Sequence, residues 1–307
     1  MTEDAFLAQL FARLPRVPDS VVIPPGDDCA AVRVGNGLLL LLAVDHVVGE
    51  RHYLSEGPHA ATPEQVGRKL LARNLSDIAA MGGEPTCCLT AVASPVGVGE
   101  DWLQRFFSGL LELAAQFNVD LIGGDLTSTP HDRVASLTIV GTVPETEVCR
   151  RRGAAPGDRL YATGAFGASL PTGHHLSFTP RCREGRWLAQ QRLAKAMIDV
   201  SDGLLLDAGR VAKMSGVELR LDVDAVPHRT AETTTEAALT DGEDYELLFA
   251  VAADDGARLE REWPFPDTPL RCIGMFAPGP SGQVLDRNGL RFTGFARQGY
   301  DHFANRT

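Results

Sequence analysis

A chain of 307 residues, 44% hydrophobic and 22% charged, carries enough apolar material for two cores, and two domains of roughly 150 residues are the expectation. Its formal net charge of −11 argues against non-specific nucleic-acid binding, which requires a basic stripe. Anionic ligands are not excluded, because divalent cations held by carboxylates can stand between an acidic protein and a phosphate.

The opening stretch, MTEDAFLAQLFARL, is acidic and amphipathic, with Phe6, Leu7, Leu10, Phe11 and Leu14 on one helical face. It lacks the basic start and apolar run of a signal peptide. The longest apolar run, over residues 37–44, is far too short to span a bilayer, so a soluble, cytoplasmic protein without membrane contact is expected. After the turn PPGDDCA, the run GLLLLLAVD reads as a buried strand ending at Asp45. Thr62-Pro63-Glu64 opens a helix with Thr62 as N-cap, which runs through GRKLLARNLSDIAAM and stops at Gly82-Gly83. A strand (TCCLTAVAS), a helix over 100–117, a short strand (VDLIGGD) and a long β-branched strand (VASLTIVGTV) follow.

The basic, Gly/Pro-rich segment RRRGAAPGDRLYATG marks a seam near residues 148–152, dividing 1–148 from 149–307. The second half alternates again: a helix over 184–195, the segment AMIDVSDG, a helix over 204–215, and strands at VELRLDV, YELLFAVA and PLRCIGMF. VLDRNGLRF reads as a hairpin turning at Asn288-Gly289. The fold class is α/β or α+β, in two layers. The six cysteines form no C-x-x-C pair and read as reduced, mostly buried thiols.

Five segments share one grammar, an apolar strand or glycine turn leading into aspartate. They are GDD (Asp27, Asp28), AVD (Asp45), GGD (Asp125), IDVSD (Asp199, Asp202) and, on a helix, LSD (Asp77). Mg²⁺ takes one or two carboxylates together with waters and phosphate oxygens, and strand ends aim carboxylates rigidly. Several such ends converging on one cleft make a multi-metal site that neutralises and orients a transferred phosphoryl group. Singly, each has a plainer reading. Asp27 and Asp28 suit an Asx-turn after Pro25-Gly26, Asp125 ends a strand, and Ser201 and Asp202 suit the cap of the helix after Gly203. Their joint recurrence favours metal-assisted phosphate chemistry as a class. No Walker A sequence is present, and no G-x-G-x-x-G opens a helix; Gly123-Gly124 and Gly164 with Gly167 are the weak alternatives for close backbone approach to a nucleotide.

The strings PPGDDCA, KLLARNLSDIAAMGGEP, LIGGD, RRGAAPGDRLYATG, MIDVSDGLLLD, GEDYELLF and GYDHF, in this order, resemble the thiamine-monophosphate kinase family. The resemblance covers nearly the whole chain. It implies the two-domain aminoimidazole ribonucleotide synthetase-like fold and a homodimer joined through N-terminal α/β domains. It also implies direct in-line transfer of the ATP γ-phosphoryl group to thiamine monophosphate, the last step of thiamine diphosphate synthesis, with several Mg²⁺ ions.

Carried onto these positions, the resemblance implies Asp28, Asp45, Asp77, Asp125, Asp199 and Asp202 as metal ligands, joined by the backbone carbonyls of Ala43 and Val44. Gly124, Asp125, Arg151 and Ser201 stand as ATP contacts, and His52, Glu243 and Tyr300 as contacts to the thiamine phosphate. Arg150 and Arg152 flank Arg151, which leaves the ATP-facing arginine open by one position. The chain departs from the family at Ala43 and Val44, where a hydroxyl pair is usual, at Leu126 for threonine and at Asp241 for glycine. The stretch 168–183 is also short for the family. The alternative is a non-catalytic nucleotide or thiamine-phosphate binding protein of the same fold; the departures support it and the intact aspartates oppose it.

Overall fold

The computed structural model describes residues 3–15, 17–97, 99–295 and 299–300; residues 301–303 of the GYDHF motif lie outside them. The first half runs α1 (Glu3–Phe11), β1 (Val21–Ile23), β2 (Ala30–Gly35), β3 (Leu38–Val48), α2 (Pro63–Ala80), β4 (Glu84–Pro95), α3 (Glu100–Phe117), β5 (Asp120–Thr129) and β6 (Val134–Pro144). Its strands form one sheet in the order β1-β2-β3-β6-β4-β5, with only the β4–β5 pair parallel.

Two strands outrun their expected ends. β3 pairs with β6 from Leu38↔Pro144 to Val48↔Val134, and β5 pairs with β4 as far as Thr129↔Pro95. The partner strands continue the backbone ladder past the aspartates, so Asp45 and Asp125 stand inside strands and not at their tips. β3 is also not buried on both faces: its burial alternates, because helices cover one side of the sheet only.

Helix α2 forms where its caps predict. The Thr62 hydroxyl accepts the Gln65 N–H while the Gln65 side chain accepts the Thr62 N–H, and the chain leaves the helix through Gly82 at φ +67°. It is buried on nearly every side, touching α3, β3 and β6 of its own half. A Cβ at Gly67 would lie 1.9 Å from the Phe106 carbonyl oxygen, and one at Gly109 would lie 2.0 Å from that of Glu64, so α2 and α3 cross backbone to backbone.

The second half comprises β7 (Arg159–Thr163), α4 (His174–Ser177), α5 (Cys182–Gln191), β8 (Ala196–Asp199), α6 (Leu204–Ser215), β9 (Glu218–Leu221), α7 (Thr235–Thr240), β10 (Leu247–Val251), α8 (Gly256–Glu262), β11 (Leu270–Ala277) and β12 (Val284–Asp286). Helix α5 stops earlier than expected because Arg192 takes a left-handed conformation, φ 55°. The second sheet has the order β12-β9-β11-β7-β10-β8.

Alternation along β10 shows how the layers stack. Leu247, Phe249 and Val251 join the core that contains α2 and α5, while Leu248 and Ala250 join the core beneath α6. The second sheet is therefore covered on both faces. The first sheet is covered on one, and its other face presents Val44 at 66% exposure and Leu89 at 43%.

Candidate active site

Helix α2 carries the centre of the site because it packs against both halves, reaching α4, α5 and β8 beyond its own sheet. At Gly185 a Cβ would lie 2.1 Å from the Ala79 carbonyl oxygen, so α5 also meets α2 at backbone distance. That contact sets Asp77 of α2 opposite Asp199 at the end of β8. The Ser76 hydroxyl bridges the halves directly, donating to Asp199 Oδ2 at 2.5 Å.

Asp28, Asp77 and Asp199 form a group whose ligand oxygens lie within 4.8 Å of one another. Burial, then the charges of Asp45, Asp199 and Asp28, hold the Asp77 carboxyl well above the usual carboxylate range. Burial and the Asp28 charge do the same to Asp199, against the opposing bond from Ser76. Asp27 is pushed up to about 6 by burial and by Asp28, although its Oδ1 accepts the Arg151 and Asp28 N–H groups.

Of the three neighbouring arginines, Arg151 faces this group. Its Nη2 and Nε donate to Asp28 Oδ1 at 2.6 and 3.2 Å. Asp28 Oδ2 is buried and has no hydrogen-bond partner. An unpaired buried carboxylate oxygen is costly, and here it belongs to a residue grouped with two further carboxylates. A hard divalent cation, which binds oxygen ligands, fits this donor set and would satisfy that oxygen.

Asp45 stands beside the trio with a different partner. Arg73, one turn before Asp77 on α2, donates from Nη2 to Asp45 Oδ1 and from Nε to Oδ2, each at 3.3 Å. Asn74 Oδ1 accepts the Asp45 N–H at 3.1 Å. Ala43 is buried and Val44 is exposed on the uncovered face; neither side chain joins the group.

The remaining aspartates are not gathered here, contrary to the expectation that all would converge. The register aligns Asp125 with Ala91, Ser136 and His46, in the row next to Asp45–Leu137–Thr90–Gly124 and on the other face. Three strand steps separate Asp45 from Gly124, roughly 14 Å at the usual inter-strand spacing. Asp202 pairs with Arg210 (2.6 Å) instead of capping α6, and its N–H is accepted by Asp207 Oδ2. Ser201 lends its carbonyl to the Glu243 N–H, and the Tyr300 N–H donates to the Asp202 carbonyl, which brings Tyr300 to the same loop.

A second cluster adjoins the first through Lys69, which the sequence reading did not single out. Its ammonium is fully buried and donates both to Glu243 Oε1, 2.7 Å away, and to the His52 carbonyl. Burial lowers it to about 8, against the raising effect of Glu243. His52 is buried and not a surface residue; its Nδ1 accepts the Val48 N–H at 3.0 Å, which leaves the proton of the neutral ring on Nε2. Lys69, Arg73 and Asp77 recur at four-residue steps, a charged line on a helix otherwise buried, and that line was the available signal.

The GEDYEL segment supports this cluster by strain and by ties. Glu243 and Tyr245 both hold positive φ, 65° and 52°, and are pinned by Glu243 N–H to Ser201 O and Tyr245 N–H to Val200 O, each 2.8 Å. Asp244 is pushed up to about 7 by burial, yet accepts the Gly167 N–H and the Arg229 Nη2. Glu246 takes Arg181 in a two-pronged pair and Thr163 Oγ1. Asp241, the departure from the family pattern, accepts the Ala168 N–H at 2.9 Å and so fastens the loop after β7, whose Ser169 hydroxyl donates to the Glu243 carbonyl.

Comparison with known proteins identifies the family. Residues 26–143 match the AIR synthase related protein, N-terminal domain, and residues 155–262 the corresponding C-terminal domain. The thiamine-monophosphate kinase of Salmonella typhimurium is 34% identical over 98% of both chains. The crystal structure of thiamine-monophosphate kinase from Stenotrophomonas maltophilia K279a superposes with a TM-score of 0.75 at 32% identity, covering 94% of this chain and 96% of that one. AaThiL complexed with AMPPCP and TMP superposes with a TM-score of 0.82 at 26% identity, covering 98% and 97%. With both domain models matched in order and full-length relatives above 30% identity, the chain belongs to the thiamine-monophosphate kinase family of AIR synthase related proteins.

Proposed function

We propose that this chain transfers the γ-phosphoryl group of ATP to thiamine monophosphate, forming thiamine diphosphate and ADP. The observation that carries the reading is the trio of Asp28, Asp77 and Asp199, drawn from both halves, with one buried oxygen left unpaired. Those three carboxylates would hold Mg²⁺, which when bound supplies positive charge to the phosphate oxygens during transfer. Arg151 sits against the trio with its charge held on by Asp28, in position to take a phosphate oxygen of the nucleotide. Gly124, Asp125, Ser201 and Asp202 are the further residues we assign to the nucleotide and the cations it brings, Asp125 standing apart from the trio, and the Ala43 and Val44 carbonyls lie on β3 just before Asp45.

His52, Glu243 and Tyr300 are assigned to thiamine monophosphate. His52 and Glu243 are joined by Lys69, and Tyr300 is tied to the Ser201-Asp202 loop, whose Ser201 carbonyl accepts the Glu243 N–H; these ties between distant segments support the assignment. The acceptor is already an anionic phosphate, and the residues present need only orient it and screen its charge; no protein base is required.

Two further assignments belong to this reading. The uncovered face of the first sheet, with Leu40, Leu42, Val44, Cys87, Leu89 and Val140 in neighbouring rows, supports a homodimer joined through the N-terminal halves. Six free thiols and an ATP co-substrate support a cytoplasmic location; among the described residues no helix is long and apolar enough to cross a membrane.

The test is incubation of the purified protein with Mg-ATP and thiamine monophosphate, followed by chromatography for thiamine diphosphate. Product that requires all three components is expected. Folded protein that binds ATP but forms none at saturating substrate would replace the kinase reading with the binding-protein alternative.

A further inference from the structure

Every carboxylate beside the trio need not be a metal ligand, and the surroundings of Asp45 differ from those of Asp28. At Asp28 an arginine takes one oxygen and the other is unpaired. At Asp45 both oxygens are taken by one guanidinium, whose third nitrogen, Nη1, donates to the His46 carbonyl at 3.0 Å. Arg73 is thus held at three points, and only 11% of its side chain is exposed. The residues before Asp45, Ala43 and Val44, bring no side-chain oxygen with which a cation could complete its shell. Asn74, the nearby side chain with an oxygen to offer, already accepts the Asp45 N–H and donates to the Leu70 carbonyl.

We propose that the Arg73 guanidinium stands at Asp45 in place of a divalent cation, so that this chain binds its metal through Asp28, Asp77 and Asp199 and supplies the positive charge beside Asp45 from its own helix. The inference rests on the cation-binding part of the proposed function. It accounts for two features together: the lack of oxygen-bearing side chains at positions 43 and 44, and the presence on α2 of an arginine aimed at the same carboxylate. An arginine guanidinium stays protonated at any working pH, as a permanent cation at that point requires.

Mn²⁺ serves as the probe, and the number bound per chain, with and without a non-hydrolysable ATP analogue, is counted by electron paramagnetic resonance. Asp45→Asn is expected to bind as many Mn²⁺ as the wild type with dissociation constants within about twofold, whereas Asp77→Asn loses at least one ion. Loss of an ion in Asp45→Asn comparable to that in Asp77→Asn would overturn the proposal. If Asp45→Asn misfolds because Arg73 is left buried and unpaired, the double variant Asp45→Asn/Arg73→Gln removes both charges together. It is expected to keep the wild-type count, and a lower count overturns the proposal equally. The ion count is read without phosphoryl transfer, so a chain inactive toward thiamine monophosphate would leave this result standing on its own.

Discussion

Single residues in this site work against the stability of the empty fold. Asp199 is buried and Asp77 half-buried beside Asp28, and both carboxyls are held well above the ordinary range by desolvation and by neighbouring carboxylates, Asp45 and Asp199 acting on Asp77 and Asp28 on Asp199. Asp77→Asn removes one of these charges. In chelator its melting temperature is expected to rise by a few degrees, on the order of 2–4 °C per kcal/mol for a domain of this size. The further rise on adding Mg²⁺ should shrink or vanish, as linkage requires when a ligand site is lost. Thermal melts with and without Mg²⁺ check both, and a fall in chelator would show that Asp77 is held by favourable partners instead.

Lys69 carries the opposite logic. It is the buried counter-charge of Glu243 and also fixes the His52 backbone, so it positions two residues assigned to the acceptor. Lys69→Met is expected to raise KM for thiamine monophosphate tenfold or more, about 1.4 kcal/mol, while KM for ATP changes less than threefold. Glu243→Gln keeps an acceptor for Lys69 and should shift the same constant with a smaller loss of melting temperature. Equal effects on both substrates would assign Lys69 a general structural role.

At the scale of elements, α2 explains what was legible and what was not. Its start and stop are local: Thr62, Pro63, Gln65 and Gly82 act within a few residues, and the sequence reads them directly. The partners of Lys69 and Arg73 lie on β3, the loop after it and the GEDYEL loop, none of which a helical pattern can announce. Asp125 shows the same limit. Its motif was visible, but its face and its distance from Asp45 follow from strand order and register, which no local signal fixes. The Gly185 contact with Ala79 is likewise invisible until both helices are placed.

That contact gives a test of how the halves are held. Gly185→Ala puts a methyl group where the gap to a backbone oxygen is 2.1 Å, so α5 must withdraw from α2. Destabilisation of about 1–3 kcal/mol is expected, together with weaker Mg²⁺ binding, because Asp199 moves with its half away from Asp77. Calorimetric titration of Mg²⁺ at a temperature where the variant is folded checks the second effect. Unchanged affinity would mean that α5 does not set the spacing of the trio.

At the scale of the whole molecule, the layers run from an uncovered sheet through α2, α3 and α5 to a second sheet and α6. The site lies in the middle, where α2 meets β8, and the uncovered sheet lies outside it. Val44→Asp places a charge in the centre of that face and is expected to shift the protein from dimer to monomer in light scattering. A dimer unchanged at micromolar concentration would move the interface elsewhere.

The central claim is that carboxylates from both halves, Asp77 and Asp199, act together in ATP-dependent phosphorylation of thiamine monophosphate. The most direct measurement follows label from [γ-³²P]ATP into thiamine diphosphate under saturating substrates, in the wild type and in the Asp77→Asn and Asp199→Asn variants. The expected result is transfer by the wild type and a drop in kcat on the order of 10² or more in each variant, with the fold retained. Transfer undiminished in both variants, or no transfer by the folded wild type, would contradict it.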